Sequence, residues 1–272
     1  RLAAPAVPPV NPALRTAPAR KLLQHALGLH PTRSLPPLAS PTFTAWFKAR
    51  ARRSTGSFIA GAPVVLFPDT FMTYNYPQIG MAAVRVLEAA GFAVQLAPRV
   101  CCGRPMLSQG LIEDARRNAR KNVALLYPLA AAGLPILICE PSCAAAFRDE
   151  YIDLLPGDAT VTAVAQQAQL IDDWLAEQLA GGLRLPLRPL PRQALFHGHC
   201  HQKATGGVAG SLAVLQAVPE LQVQPIEAGC CGMAGAFGYT ADHYAVSAAI
   251  ARDRLLPAIT AAPQTMICAN GV

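Results

Sequence analysis

Short apolar runs alternate with longer stretches of helical spacing over most of this chain. Val64-Val65-Leu66-Phe67 is a β-branched, fully apolar run, the pattern of a strand buried on both faces. Pro77 to Ala90 carries Ile79, Val84 and Leu87 on one helical face, and Gly91 supplies a stop. A second strand is predicted over Phe92 to Leu96, a long helix over Glu113 to Leu129 and a third strand over Leu134 to Cys139, followed by a turn at Glu140-Pro141-Ser142-Cys143. The order then recurs. A strand at Ala194 to Phe196 leads into a loop at His197 to Lys203, a helix at Gly210 to Val218 and a strand at Leu221 to Ile226. A glycine-rich turn at Cys230 to Gly238 precedes a helix at Asp242 to Ile259 and a last strand at Thr265 to Cys268. Strands alternating with helices predict an α/β fold with parallel sheets. The expected architecture is two pseudo-symmetric strand–helix repeats, residues 61–158 and 192–272, joined by a segment 159–191. That segment holds one helix, Val164 to Leu179, and a proline-rich crossing.

The first 60 residues break the pattern. They hold nine Lys/Arg, no Asp or Glu and nine prolines, and they predict a basic, Pro-rich leader with a short helix at Lys21 to Leu27, an extended stretch at Arg33 to Pro41 and a basic helix at Ala45 to Arg53. The chain opens on Arg1, and the prolines argue against an amphipathic transit peptide, so this leader reads as a loosely packed linker cut from a longer polypeptide. The net charge of +7 over 272 residues belongs to it. The remaining residues are near neutral, which argues against a nucleic-acid-binding face on the repeats. Hydrophobic residues are 52% of the chain, yet the longest apolar stretch, Val123 to Cys139, is broken by Tyr127, Pro128, Gly133 and Pro135, so no membrane span is expected.

Cysteines mark the repeat. Cys101-Cys102-Gly103 and Cys230-Cys231-Gly232 lie 129 residues apart, and the same offset matches Leu66-Phe67 with Leu195-Phe196, Val94-Gln95 with Val223-Gln224, Leu126 with Leu255, and Ile138-Cys139 with Ile267-Cys268. Adjacent thiols bond each other poorly but can both face a metal centre. Nearly all of the cysteines fall at or just past the carboxyl end of a predicted strand, the edge where open α/β sheets place ligands. Clustered, repeated thiols suit an iron–sulfur cluster or zinc better than a secreted disulfide framework. The second repeat offers Cys200, Cys230, Cys231 and Cys268; the first offers Cys101, Cys102 and Cys143. His199 and His201 flank Cys200 as candidate neighbours of a centre. Lys203 could balance thiolate charge, though a surface lysine reads equally well, and any one of His197, His199 and His201 reads more simply as a backbone-bonded or exposed histidine.

Five segments carry a resemblance to a known family: Leu66 to Phe71, Cys101 to Pro105, Glu140 to Cys143, His197 to Lys203 and Gly229 to Tyr239. They resemble the cysteine-rich, Cys-Cys-Gly domain of heterodisulfide reductase. The same domain occurs in the iron–sulfur subunits of glycolate oxidase and anaerobic glycerol-3-phosphate dehydrogenase, and the match is closest to the C-terminal part of FAD-linked oxidase/iron–sulfur fusion proteins. The resemblance covers Ala62 to Val272. It implies a 4Fe–4S cluster, of cubane or non-cubane form, in the second repeat, leaves open whether the first repeat holds one, and implies an electron-transfer module of a flavin-dependent 2-hydroxy-acid dehydrogenase of glycolate or D-lactate type. FAD is then expected only in the missing part of the protein. The implied partners are flavin-dehydrogenase and ferredoxin-like domains and a quinone or other acceptor, in the cytoplasm or peripherally at the inner face of the membrane. The first repeat departs from the pattern. Thr70 or Phe71 stands where a leading Cys is expected, and the later pair reads Glu140-x-x-Cys143, leaving Glu140 as a neighbour of whatever the first repeat holds. In the second repeat the last ligand is expected just past Val272, with Cys268 a substitute ligand or a strand end. The alternatives are a structural zinc module or a degenerate scaffold.

Overall fold

β1 (Pro63–Phe67), β2 (Ala93–Leu96), β3 (Ile136–Ile138) and β4 (Ala168–Leu170) form one sheet in the order β2-β1-β3-β4; β5 (Arg192–His197), β6 (Leu221–Pro225) and β7 (Met266–Ala269) form another in the order β6-β5-β7. Every described strand pair is parallel. The computed structural model describes residues 7–53 and 61–271. The expected α/β class is found, and the two sheets share one strand order apart from β4. The boundary expected at residue 60 falls within 54–60, outside the described residues, as does Val272.

Alternation along β1 builds two cores. Val65 and Phe67 face the helices 112–131, 141–154 and 159–167, where Val123, Leu126, Phe147 and Tyr151 are buried. Val64 and Leu66 face the helices 77–89 and 171–180, with Val84, Leu87 and Trp174. The second sheet has a much smaller core of Ile226, Ala228 and Leu255, with Leu195 and Cys231 packed against it. Hydrophobic burial therefore anchors the first repeat far more strongly than the second.

The structure corrects several expectations. The joining segment is not one helix. Ala159–Gln167 and Ile171–Ala180 are separate helices, and Ala168–Leu170 between them is β4, paired with β3. The 167–170 stretch fits a helical period, but the free edge of β3 satisfies its backbone as a strand. The helix expected at Asp242 to Ile259 is broken into Tyr244–Asp253 and Leu255–Thr260. Pro257 has no N–H for the carbonyl of Asp253, and its ring crowds that turn. The loop expected at His197 to Lys203 contains a helix, Cys200–Thr205. The turn after Glu140 opens the helix Pro141–Ala145, with proline in its first turn.

The leader also differs from expectation. Phe43, in the helix Phe43–Arg53, is fully buried in the core of the first sheet, with Trp46 and Phe47 packed against that core. A Cβ on Gly80 would lie 2.7 Å from the Phe43 ring, so glycine is what lets the two helices approach. Upstream, Leu29 bridges to Thr240, the His30 and Tyr244 rings stack at 3.6 Å, and Arg33 donates to the Gly238 carbonyl and to Ser247 Oγ at 2.8 Å each. Residues 28–47 thus run from the glycine-rich turn of the second repeat to the core of the first.

The constant 129-residue offset locates the strands but not their register. Leu66 pairs with Leu96 and Leu137, whereas Leu195 pairs with Gln224 and Ile267. Against β5, β6 is set one residue earlier and β7 one residue later than the offset demands. A one-residue shift exchanges the two faces of a strand, so Val94 and Val223 match in sequence without holding equivalent positions.

Candidate metal centre

Each Cys-Cys-Gly turn leaves the second strand of its sheet, with the first cysteine five residues past the strand end. Gly103 and Gly232 take φ of +90° and +86°, a region closed to most side chains. A Cβ on Gly232 would also sit 2.2 Å from the Ser247 carbonyl oxygen. These glycines turn the chain sharply enough to hold both preceding thiols at the sheet edge.

In the first repeat three thiols converge. Cys102 Sγ and Cys143 Sγ lie 2.9 Å apart and both are buried; Cys101, half-buried, hydrogen-bonds Cys102. Thr70, one of the two residues standing where a leading cysteine is expected, hydrogen-bonds Cys101. Behind them lies a polar network that sequence reasoning missed. Asn122 Nδ2 donates to the Cys101 carbonyl (3.1 Å) and to Tyr151 Oη (2.9 Å), and Tyr151 donates to the Cys102 carbonyl at 2.9 Å. Asn122 Oδ1 accepts from Val100 N. The signal was present: Asn122 sits among Ala119, Val123 and Leu126 on the apolar face of its helix. Tyr151→Phe leaves a buried donor and a buried carbonyl unpaired, and is expected to cost about 1–2 kcal/mol. A lowered urea midpoint at unchanged slope is the check; no shift would show the network to be idle.

The charge state of these thiols follows from their crowding. The hydrogen bond to Cys102 and burial push the Cys101 thiol far up. For Cys102 the bond from Cys101 acts downward, but the Cys143 contact and burial outweigh it. Cys143 is likewise lowered by its bond to Cys102 and raised more by burial and by Asp69, Glu140 and Cys101. Without a cation the group stays protonated; a bound metal would reverse that balance.

Glu140 caps its helix, its Oε1 accepting from Ser142 N (3.2 Å) and Ser142 Oγ (2.8 Å). Cys139, one position off the pattern, lines a cavity of about 320 Å³ with Asp69, Glu140, Asp172 and Asn270. Burial, then Asp69, Asp172 and Glu140, raise its thiol.

In the second repeat Cys200 opens its helix, exposed, with its Sγ 4.0 Å from His199 Nδ1. Its thiol is raised first by burial, then by Cys230, with a smaller push from Cys231. Gly232 N donates to Cys230 Sγ at 3.3 Å. These three cysteines are neighbours. Cys268 lies within β7, paired with Phe196, and burial alone raises its thiol. His199 caps the Cys200 helix through Nδ1, which accepts from His201 N at 3.2 Å, while its own N–H donates to Asn270 Oδ1 at 3.0 Å. Burial, with His201, His197 and Arg104 adding, lowers His199 to about 4. Its Nε2, 3.9 Å from Glu140, is therefore a neutral contact at neutral pH and not an ion pair. His201, stacked on His199, is also lowered by burial and Arg104. His197 Nδ1 is buried without a hydrogen-bond partner. Lys203 does not face the thiols as a free charge. It donates to the carbonyls of Ala228 and Gly229, tying the Cys200 helix to the loop ahead of Cys230 beside a cavity of about 480 Å³.

Among the described residues, no three His, Cys, Asp or Glu side chains are disposed to hold one metal ion. A structural zinc needs four donors at about 2.3 Å or less from one ion.

Residues 64–148 match the family model described as the cysteine-rich CCG domain. The chain carries a cysteine-rich CCG domain. It is 33% identical over 248 residues to the C subunit of anaerobic glycerol-3-phosphate dehydrogenase of Escherichia coli K12, covering 90% of this chain and 61% of that protein. The chain thus spans less than two thirds of that relative's length. D-2-hydroxyglutarate dehydrogenase of the same organism is 27% identical over 183 residues, 66% of this chain and 17% of that protein. Lactate utilization protein A of Bacillus velezensis is 29% identical over 186 residues, 64% of this chain and 74% of that protein. The family match lies within the first repeat, and the relatives named here are parts of dehydrogenases or a lactate utilization protein. No described helix is long and apolar enough to cross a membrane.

Proposed function

We propose that this chain is the iron–sulfur electron-transfer module of a flavin-dependent dehydrogenase for 2-hydroxy acids of the glycolate or D-lactate type. It passes electrons from a flavin on a partner domain, through ferredoxin-like clusters, to a quinone or another acceptor. The observation that carries this reading is the gathering of Cys200, Cys230 and Cys231 on neighbouring loops at the carboxyl edge of the second sheet. These three would hold a 4Fe–4S cluster, of cubane or non-cubane form. Cys101, Cys102 and Cys143 offer a second set of three donors. A cluster bound there supplies one-electron transfer. The protein's part is to hold the thiols together, to keep His199 neutral beside them and to lock the Cys200 helix through Lys203. The working location is the cytoplasm or the inner membrane face, beside the flavin-bearing partner.

Anaerobic reconstitution with iron and sulfide tests this. A brown protein with iron and acid-labile sulfide, and an electron paramagnetic resonance signal on reduction, is the expected result. Zinc retained without iron would overturn it in favour of a structural module.

A further inference from the structure

We propose that Cys102 and Cys143 form a reversible disulfide in the first repeat whenever no metal occupies it. This goes beyond the cluster reading of the second repeat and does not depend on it. The two sulfurs lie 2.9 Å apart, buried, and 41 residues apart in sequence. Closing to a bond length near 2.05 Å requires the sulfurs to move by about 0.9 Å. The other short pairing, Cys101 with Cys102, would have to close a strained ring between adjacent residues.

The donor set here is short of what a cluster site offers. Thr70 and Phe71, neither a thiol, stand where the leading cysteine is expected, and the Glu140 carboxylate is already engaged by Ser142. Three thiols without a fourth form a dithiol with a neighbour, and Tyr151 and Asn122 hold the Cys101 and Cys102 carbonyls so that the pair keeps its approach.

The oxidant is a peroxide, small enough to enter a buried site. The small deprotonated fraction of the first sulfur, which grows as the pH rises, takes one oxygen from the peroxide, giving a sulfenic acid and one water. The second sulfur attacks that sulfur and displaces a second water. Two thiols lose two electrons and two hydrogens, and the peroxide becomes two waters. Closure keeps both sulfurs from the irreversible sulfinic state and leaves them recoverable by thiols.

The test uses the chain stripped of metal by anaerobic chelation, then treated with hydrogen peroxide, alkylated and digested without reduction. Mass spectrometry is expected to find the Cys102 and Cys143 peptides joined, two hydrogens lighter, with two of the eight thiols lost to labelling and regained with dithiothreitol. Cys101→Ser keeps the cross-link. Cys143→Ser loses it and leaves a dimedone-reactive sulfenic acid on Cys102. A cross-link through Cys101, or all eight thiols still free, would overturn the proposal. The readout contains no iron measurement, so the absence of a cluster in the second repeat would leave its outcome unchanged.

Discussion

Cys231→Ser removes most of the iron from the reconstituted protein, and Cys102→Ser removes less. Cys231 packs against the small core of Ile226, Ala228 and Leu255, so its sulfur is placed by the body of the second repeat and not by a free loop. Its loss leaves Cys200, exposed, and Cys230 as the neighbouring donors. Serine keeps the size but not the soft thiolate that iron selects. Cys102 belongs to a set in which Thr70 or Phe71, and Glu140, occupy positions where the resembled pattern has cysteines, so fewer irons depend on it. Iron and labile-sulfide analysis of the two variants, side by side with the parent, checks the ranking. Equal loss in both, or none in either, would sink it.

Phe43→Ala destabilises the protein by about 3–5 kcal/mol, the range for deleting a fully buried phenyl ring. The ring has no exposed surface and rests on Gly80 and Met72, between helices of the first repeat. A linker residue would instead show a change near zero. Chemical denaturation of the variant separates the two, and a shift below about 0.5 kcal/mol would restore the linker reading. The same change is expected to leave the iron content of the second repeat largely unaltered, because Phe43 packs in the core of the first.

Much of the fold was legible because its signals are local. The β1 run is apolar without a break, and a strand buried on both faces has no other way to read. The helix Pro77–Ala89 ended within a residue of its expected stop. The cysteines were legible as a site because the Cys-Cys-Gly turn repeats with its glycine, and only glycine reaches φ near +90° at that place. What escaped was either a cap of an unusual kind or a contact between distant residues. Histidine is a rare N-cap, so the Cys200 helix read as a loop. Tyr151 carries no local mark of its hydrogen bond to Cys102, 49 residues away.

The sequence by itself determined the alternation of strands and helices, the duplication and the edge on which the thiols gather. Period, turn chemistry and spacing are properties of neighbouring residues. The tertiary structure alone decided that Ala168–Leu170 is a strand, that the two repeats differ in register, and that residues 28–47 join the fold. It also decided that Cys102 and Cys143 touch. Each of these is settled by which distant surface satisfies a backbone group or fills a cavity, and burial and hydrogen bonding of that kind are summed over the whole molecule, not over a window of sequence.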